Sequence, residues 1–561
     1  MTTDPFLLEI VHRALISIAK EMKITTMRTA YTQLWKEQGD LSCCIMDAKG
    51  DILAQDPLGF PVHMTTMPDQ LKGMLGVIDS DELADGDVLI TNDPFLGGSH
   101  LPDVLIARPI FHGDRLYAFA CNRGHWADIG GGGPGSYSPS TTELIQEGLV
   151  IPPVKLFEAG RLNQFAVELI MANVRNRRNA EGDMRAQIAA CTVAARRCEE
   201  LVDRYGVALV TEIMEGVLER SEELARRKVR DFTPGVYEAQ DVVDGDGVSD
   251  SKVHISLRLE VTEDEILVDL TGSSPSSRGG MNCSRAAAVS GVQYAVKCLT
   301  DPENPPNSGS YRPVRVVTVP GTVVDAQPPS AMVGYGEIVY RVMDLAFRAL
   351  SDAAPDKAIA SGSGSTGTAV VSGARADASG EYFAAIELSS GATGATIEGD
   401  GHHAIRYGVG NAGHIPIEAD ELENPFFFLR YEIVPDTGGS GTYQGGNGFC
   451  RVFRVDAEQA VITLCADRDI TPPPGFMGGS PGATAVYVLN PESDERQALP
   501  SKTAYVPITS GTVVHLQSAG GGGYGDPIKR SPAAIKRDIA NGYVTLQFAN
   551  ANYPQFDGTL T

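Results

Sequence analysis

Residues 97–132 read GGSHLPDVLIARPIFHGDRLYAFACNRGHWADIGGG, two apolar runs hinged on His112, Gly113, Asp114 and Arg115. The runs carry the branched and aromatic side chains of strands, and the HGDR between them is turn chemistry, so the stretch predicts a β-hairpin. His100 and Asp103 stand just before the first strand, and His125 closes the second. In an antiparallel pair those two points lie at the same end. A His and a carboxylate three residues apart, joined by a His from the next strand, make three ligands for a divalent metal and leave coordination positions open. Asp128 follows His125 at the same spacing. The same residues also read as glycine-rich turns capped by Asp.

Outward from the hairpin the pattern alternates helix and strand. Phe6, Leu7, Ile10, Val11, Ala14, Leu15, Ile18 and Met22 recur at helical spacing over 5–35. Thr3 or Asp4 is the expected cap, with Pro5 in the first turn, and the stretch is one amphipathic helix or a pair. LSCCIMDAKGDILAQ reads as two strands around a Lys-Gly turn, with Cys43 and Cys44 as packing residues. MTTMPDQLKGMLGVI is expected to be helical and GDVLITNDPF to be a strand running into a loop. The 161–230 stretch is helical, with Arg and Glu alternating on a solvated or docking face over 175–230. Beyond 235 the texture turns to strands (ISLRLEVTEDEILVDLTGS, VRVVTVPGTVV) with helices at AAAVSGVQYAVKCLT and IVYRVMDLAFRALSDAAP. SGSGSTGTAVVSGARAD is expected to be a loop over a site. The last third is strands, glycine turns and a helix at SPAAIKRDIANGYV capped by Ser531. The expected fold class is mixed α/β, multi-domain and β-rich. Its expected divisions are 1–230 (metal-binding, with the charged helices), 231–350 (β-rich middle) and 351–561 (Gly-rich β).

A chain of 561 residues carries roughly two to four domains. Its net charge of −25 excludes nucleic acid and anionic membranes as main partners. No apolar run approaches the ~20 residues that span a bilayer, and MTTDPFLLEIVHRAL lacks the pattern of a secretory signal. Nine scattered cysteines without a CxxC pair fit reduced thiols and a cytoplasmic location.

Glu37 and Asp40 lie where the first helical stretch gives way to the first strand, and either carboxylate makes a fourth ligand. Two His and two carboxylates suit Zn²⁺, Mn²⁺ or Fe²⁺. His63, in FPVHMTTM, reads as a general base or as a packed His on a strand edge. His402 and His403 beside Asp400 read as a second metal candidate or as a surface loop. No GxxxxGK[ST] loop is present, and SAGGGGYGDP lacks the strand and helix that a dinucleotide fingerprint needs, so ATP and NAD are not expected to bind this chain. No GxSxG elbow and no paired Cys–His mark a nucleophile.

In order and spacing, EQGDLS, NDPFLGGSHLPD, GHWADIGGGGPGS, IQEGLVIPPVKL, EGDMRAQIAA, GGMNCS, PPNSGSYRPV, DTGGSGTYQGGNG and SAGGGGYGDP resemble the hydantoinase B/oxoprolinase family across essentially the whole chain. The resemblance implies a large α/β fold with much β structure. It implies a hetero-oligomer in which an A-type, actin-like ATPase subunit uses ATP to phosphorylate the oxygen of a small-molecule amide or enolised ketone. It places the metal ligands on Asp40, His100, Asp103 and His125, with Glu37 the alternative to Asp40, and leaves proton relay to His63 or Asp128. The implied reaction is hydrolysis of a cyclic amide (hydantoin, 5-oxoproline or a lactam). Its alternative is carboxylation of acetone or acetophenone. Trp126 follows His125 where some hydantoinase-like members carry a second His, which leaves the substrate subclass open.

Overall fold

The hairpin is the middle of a larger sheet. The computed structural model describes residues 4–375 and 382–559. Strands β1 (Leu41–Asp47), β2 (Ile52–Gln55), β3 (Val88–Thr91), β4 (Asp103–His112), β5 (Arg115–His125), β6 (Val154–Glu158) and β7 (Arg161–Leu162) pair in the order β2-β1-β5-β4-β3-β6-β7. All of these pairings are antiparallel. Helices α1 (Pro5–Thr29), α2 (Gln33–Lys36), α3 (Pro61–Leu75), α4 (Gln164–Met171), α5 (Arg177–Tyr205) and α6 (Val207–Val229) belong to the same region. Cys43, Ile45, Val104, Ile106 and Ala120 join Leu15 and Met22 of α1 and Ala190 and Ala194 of α5 in one apolar cluster. The alternate residues Cys44, Met46, Leu105, Phe119 and Cys121 pack on Met64, Met67, Leu71 and Met74 of α3. Covering both faces removes any need for a polar face, which is why LSCCIM is an unbroken apolar run. Cys43 and Cys44 point to opposite faces, and all nine cysteines are free thiols.

The periodic stretch 5–35 is a helix pair. Asp4 caps α1 by accepting from Phe6 N at 3.0 Å, with Pro5 in the first turn. The alternative cap, Thr3, lies outside the described residues. Asp183 of α5 receives the chain between α1 and α2, accepting from Tyr31 N at 2.6 Å and from Thr32 Oγ1 at 2.7 Å. The small residues of α5 face inward, while Arg177 and Arg185 pair with Glu181 on its outer face. Exposed pairs of this kind add little to stability.

A second sheet, β8 (Gly235–Val243), β9 (Val253–Val261), β10 (Ile266–Asp269) and β11 (Val314–Val317), has the order β11-β10-β9-β8. The strand expected over 314–324 stops at Val317, because Pro320 and Gly321 turn the chain, with Gly321 N donating to Asp325 O at 2.9 Å. Helices α7 (Arg285–Thr300), α8 (Ser308–Tyr311) and α9 (Tyr335–Ala353) accompany this sheet. A single apolar cluster runs from Leu8 to Ala354 and on to Cys465. Two further sheets follow, built from β12 (Thr368–Ala374), β13 (Tyr382–Leu388), β14 (Phe426–Ile433), β15 (Phe449–Val455), β16 (Gln459–Cys465), β17 (Val486–Leu489), β18 (Gln497–Ala498), β19 (Lys502–Ile508) and β20 (Val513–Gln517). Their orders are β13-β12-β16-β19 and β14-β15-β20-β17-β18. The Gly/Ser-rich stretch is a loop only to Gly367 and then enters β12; residues 376–377 lie outside the described set. Ser531 caps the last-but-one helix by accepting from Ala534 N. Among the described residues no helix is long and apolar enough to cross a membrane.

The C-terminal glycines form a junction of backbones. Gly521 N donates to Gly446 O, Gly522 N to Ser361 O and Gly523 N to Ser480 O, all within 2.8–2.9 Å. These N–H groups are committed to protein carbonyls and have none left to cradle a phosphate. A Cβ on Gly521 would lie 2.0 Å from Thr393 O, whereas one on Gly399 meets nothing within 4 Å. Gly521→Ala is therefore expected to cost at least ~2 kcal/mol through overpacking, and Gly399→Ala less than ~0.5 kcal/mol. Denaturant titration of the two variants checks the contrast.

Candidate metal centre

Strand register brings three of the expected ligands into one row. Leu41 of β1 pairs with Gly124 of β5, so Asp40 falls opposite His125, whose N–H donates to Asp40 O at 3.2 Å. On the other side of β5, Asp103 of β4 pairs directly with His125. Side chains directly opposite across neighbouring strands lie roughly 5 Å apart at Cβ and point to one face. By alternation that face is the one covered by α3, since Cys44, Leu105 and Cys121 share it. Pro61 starts α3, and the first turn lowers His63 onto the row. His100 arrives from the turn before β4, with Asp103 N donating to its carbonyl at 3.1 Å.

His100, Asp103 and His125 each offer a ligand atom, all within 4.8 Å of one another, and all three residues are buried. His100 Nε2 stands 3.3 Å from Asp103 Oδ1, and His63 Nε2 stands 3.2 Å from the same oxygen and 3.9 Å from Asp40 Oδ1. Yet Asp40 Oδ1, Asp103 Oδ1, His125 Nδ1 and both ring nitrogens of His100 are buried without a hydrogen-bond partner. Each such atom costs ~1–3 kcal/mol when left unpaired. Burial drives His125 down to about 3, helped by neighbouring His100, so its imidazole is neutral and ready to donate a lone pair. Burial pushes Asp40 up to about 6 against the pull of His63. Burial also opposes the charge on Asp103, but His63 and His100 beside it hold its carboxyl well below the usual range. Two imidazoles with carboxylates and no thiolate suit a hard or borderline divalent cation, and a cation at this locus would satisfy one orphaned atom of each of His100, Asp103 and His125.

The surroundings fix these side chains. Ser99 Oγ and Tyr335 Oη donate to Asp103 Oδ2, which leaves Oδ1 facing inward. Ser42 Oγ accepts from Phe60 N at 2.8 Å and lies 3.3 Å from His63 Nδ1, turning Nε2 toward the two carboxylates. Trp35 Nε1 donates to His125 O at 2.7 Å, and its indole covers Gly124, where a Cβ would lie 2.3 Å from the ring. Gln187 of α5 donates to Val104 O and Asn122 O, and accepts from Trp126 Nε1. The rings of Tyr335 and Tyr137 lie 4.6 Å from His100 and 5.9 Å from His125. Beside the group opens a small cavity, lined by Asp40, His63, His125, Tyr137, Tyr335 and Arg406 among others.

Not every candidate joins this group. His63 does, from a helix and not from the strand edge that its sequence context suggested. Glu37 is exposed at the end of α2. Asp128 stands apart from the cavity: Oδ1 accepts from Gly130 N and Arg175 N, and Oδ2 from Gly135 N and Arg175 Nη1. It shapes the glycine loop after β5. Asp400 accepts two hydrogen bonds from Arg530, and His403 Nδ1 accepts from Asn447 N while its ring rests on Tyr543. His402 is exposed, so these three form no ligand set. A second acidic group, Asp244, Asp467 and Asp469, is met by Arg341, Lys502 and Thr471. Arg406, Tyr137 and Tyr335 escaped the sequence reading. Arg406 sits in GHHAIRYG, where the two histidines drew attention and no local pattern marks the arginine.

A family model for hydantoinase B/oxoprolinase matches residues 4–527. The chain is 31% identical over 573 residues to the caprolactamase subunit beta of Pseudomonas jessenii, covering 98% of this chain and 96% of that one. It is 28% identical over 552 residues to 5-oxoprolinase 1 of Arabidopsis thaliana, covering 94% of this chain and 42% of that one. The crystal structure of the ATP-dependent caprolactamase from Pseudomonas jessenii superposes with a TM-score of 0.92 at 27% identity, over 99% of this chain and 97% of that one. Nucleotide-free acetone carboxylase superposes with a TM-score of 0.90 at 21% identity, over 98% of this chain and 79% of that one, a likeness of fold. The chain belongs to the hydantoinase B/oxoprolinase family.

Chelation followed by titration with Zn²⁺ or Mn²⁺ is expected to restore about one equivalent of metal and to stabilise the protein, by ~2.7 kcal/mol at a hundredfold excess over Kd. His125→Ala is expected to lower metal affinity by more than the ~10–100-fold typical of outer partners. Elemental analysis and thermal melts check both.

Proposed function

We propose that this member of the hydantoinase B/oxoprolinase family is the metal-containing B-type subunit of an ATP-dependent cyclic amide hydrolase. Its substrate is a hydantoin, 5-oxoproline or a lactam, phosphorylated on the amide oxygen by an A-type, actin-like ATPase partner. The observation that carries the reading is the convergence of His100, Asp103 and His125 as buried ligand residues, with Asp40 across the strand from His125 and both of these on the wall of a small cavity. The relatives named as a caprolactamase subunit and a 5-oxoprolinase support the substrate class.

An amide is a poor electrophile because its nitrogen lone pair is delocalised onto oxygen. Phosphorylation of that oxygen gives an imidate-like carbon that water can attack; the tetrahedral adduct breaks its C–N bond and opens the ring, and the acyl phosphate so formed takes a second water to yield the carboxylate and inorganic phosphate. The donor set holds Zn²⁺, Mn²⁺ or Fe²⁺, and such an ion supplies Lewis-acid chemistry to an oxygen ligand. His63 is the proton carrier. Its Nε2 faces the cavity beside Asp40 and Asp103, and Ser42 at Nδ1 fixes the ring. It takes the proton from the attacking water and returns one to the leaving nitrogen. Asp128 has a positioning part, since both of its oxygens hold the loop that follows His125.

Purified with its partner, the chain is expected to show ATP hydrolysis that depends on a cyclic amide. Bicarbonate-dependent ATP use with acetone or an aryl ketone, and none with any cyclic amide, would establish the carboxylase reading instead. His63→Gln is expected to lower kcat by at least ~100-fold with metal content and melting temperature retained. Full activity in that variant removes His63 from the mechanism. A loss of stability in His125→Ala with turnover unchanged would make the metal structural.

A further inference from the structure

Arg406 lines the cavity beside Asp40, His63 and Tyr340, and nothing in the hydrolytic chemistry above uses it. The residue is half-buried and hydrogen-bonded to the Tyr340 side chain, but its Nε and Nη1 are buried without a hydrogen-bond acceptor, and among the described residues it enters no ion pair within 4 Å. Other buried arginines of this chain are matched: Arg341 by Asp467, Arg451 by Glu387 and Arg530 by Asp400 and Asp538. A guanidinium stays charged at any working pH, and leaving its donors dry and unpaired is costly. The group that relieves this cost is planar or tetrahedral, anionic and rich in acceptor oxygens. The cavity is far too small for a macromolecule.

We infer that Arg406 is the oxyanion receptor of this cavity, binding the phosphoryl or carboxylate oxygens of the substrate while its reacting carbon faces His63 and the ligand row. This rests on the reading of the cavity as the site for an activated amide, and it names the substrate as an anion. The phosphoryl group added by the partner supplies that anion for every cyclic amide. A carboxylate substituent, as on 5-oxoproline, supplies it for some.

The test compares the full chain, at matched metal content, with Arg406→Lys and Arg406→Met by calorimetric titration of inorganic phosphate and of acetate. Arg406→Met is expected to weaken phosphate by at least ~10-fold, with Arg406→Lys between, because lysine keeps the charge and loses the fork. Unchanged phosphate and acetate affinity in Arg406→Met overturns the inference, as does a wild-type chain that binds neither ion. The melting temperature is expected not to fall, since an unpaired buried charge is removed, and a large fall would make Arg406 structural. With the partner present, an equal loss of kcat/KM for 5-oxoproline and for 2-pyrrolidinone assigns the phosphoryl group, and a loss confined to 5-oxoproline assigns the carboxylate. Absence of cyclic-amide turnover with Arg406-dependent phosphate binding intact would sink the hydrolase reading and leave the receptor standing.

Discussion

The register of three neighbouring strands is the constraint on which the site depends. Asp40, His125 and Asp103 become neighbours because β1, β5 and β4 pair at one alignment. A slip of a single residue in either pairing would turn a ligand to the opposite face. The surroundings oppose such a slip on both sides of the sheet. Cys43 and Ile45 are committed to α1 and α5, and Cys44 and Met46 to α3. Gln187 bridges Val104 and Asn122, one turn of α5 beyond Asp183, which receives the loop before α2. One helix therefore fixes both the hairpin and the segment leading to Asp40.

Electrostatics then makes the arrangement costly in the bare protein. Asp40 and Asp103 repel in a dry setting, and burial disfavours charge on each. Burial disfavours protonation of His125, and the His100 ring 4.9 Å away adds to that effect. A fold carries such unpaired polar atoms where function pays for them elsewhere. The same logic applies to Arg406: the cavity holds acceptors that lack a cation and a cation that lacks acceptors. These cancel only in part: Arg406 pulls Asp40 down against its burial but makes no ion-pair contact with either carboxylate.

Local pattern made the hairpin legible, since alternation and turn chemistry act within a few residues. From the hairpin followed the convergence of His100, Asp103 and His125. Asp40 came from motif resemblance, and its place opposite His125 depends on a β1–β5 pairing that separates partners by some eighty residues and is not encoded locally. His63 was misplaced on a strand because FPVH reads as extended until Pro61 is recognised as the opening residue of a helix. The glycine runs were legible as turns. Their close backbone contacts with Thr393, Thr437 and Ser480 exist only once distant segments have met. Arg406 left no trace, because what distinguishes it is a place in three dimensions: beside the cavity and, among the described residues, without an ion-pair partner.

The cavity also explains why a single long chain is needed for so small a site. Its ligand wall comes from β1, β5 and the start of α3. Tyr335 comes from the first turn of α9, Thr366 and Thr368 from the edge of β12, Ile386 and Leu388 from β13, and Arg406 from the loop beyond. Gln38 donates to Ile386 O across that join, two residues from Asp40. The N-terminal sheet thus contributes acceptors and the C-terminal half contributes a cation and the apolar wall. Neither half alone closes a dry space around the other's polar atoms. Continuity of the core from Leu8 to Cys465 is then a condition of the proposed chemistry: separate, mobile domains would let water reach the orphaned atoms and remove the electrostatic demand that favours a ligand there.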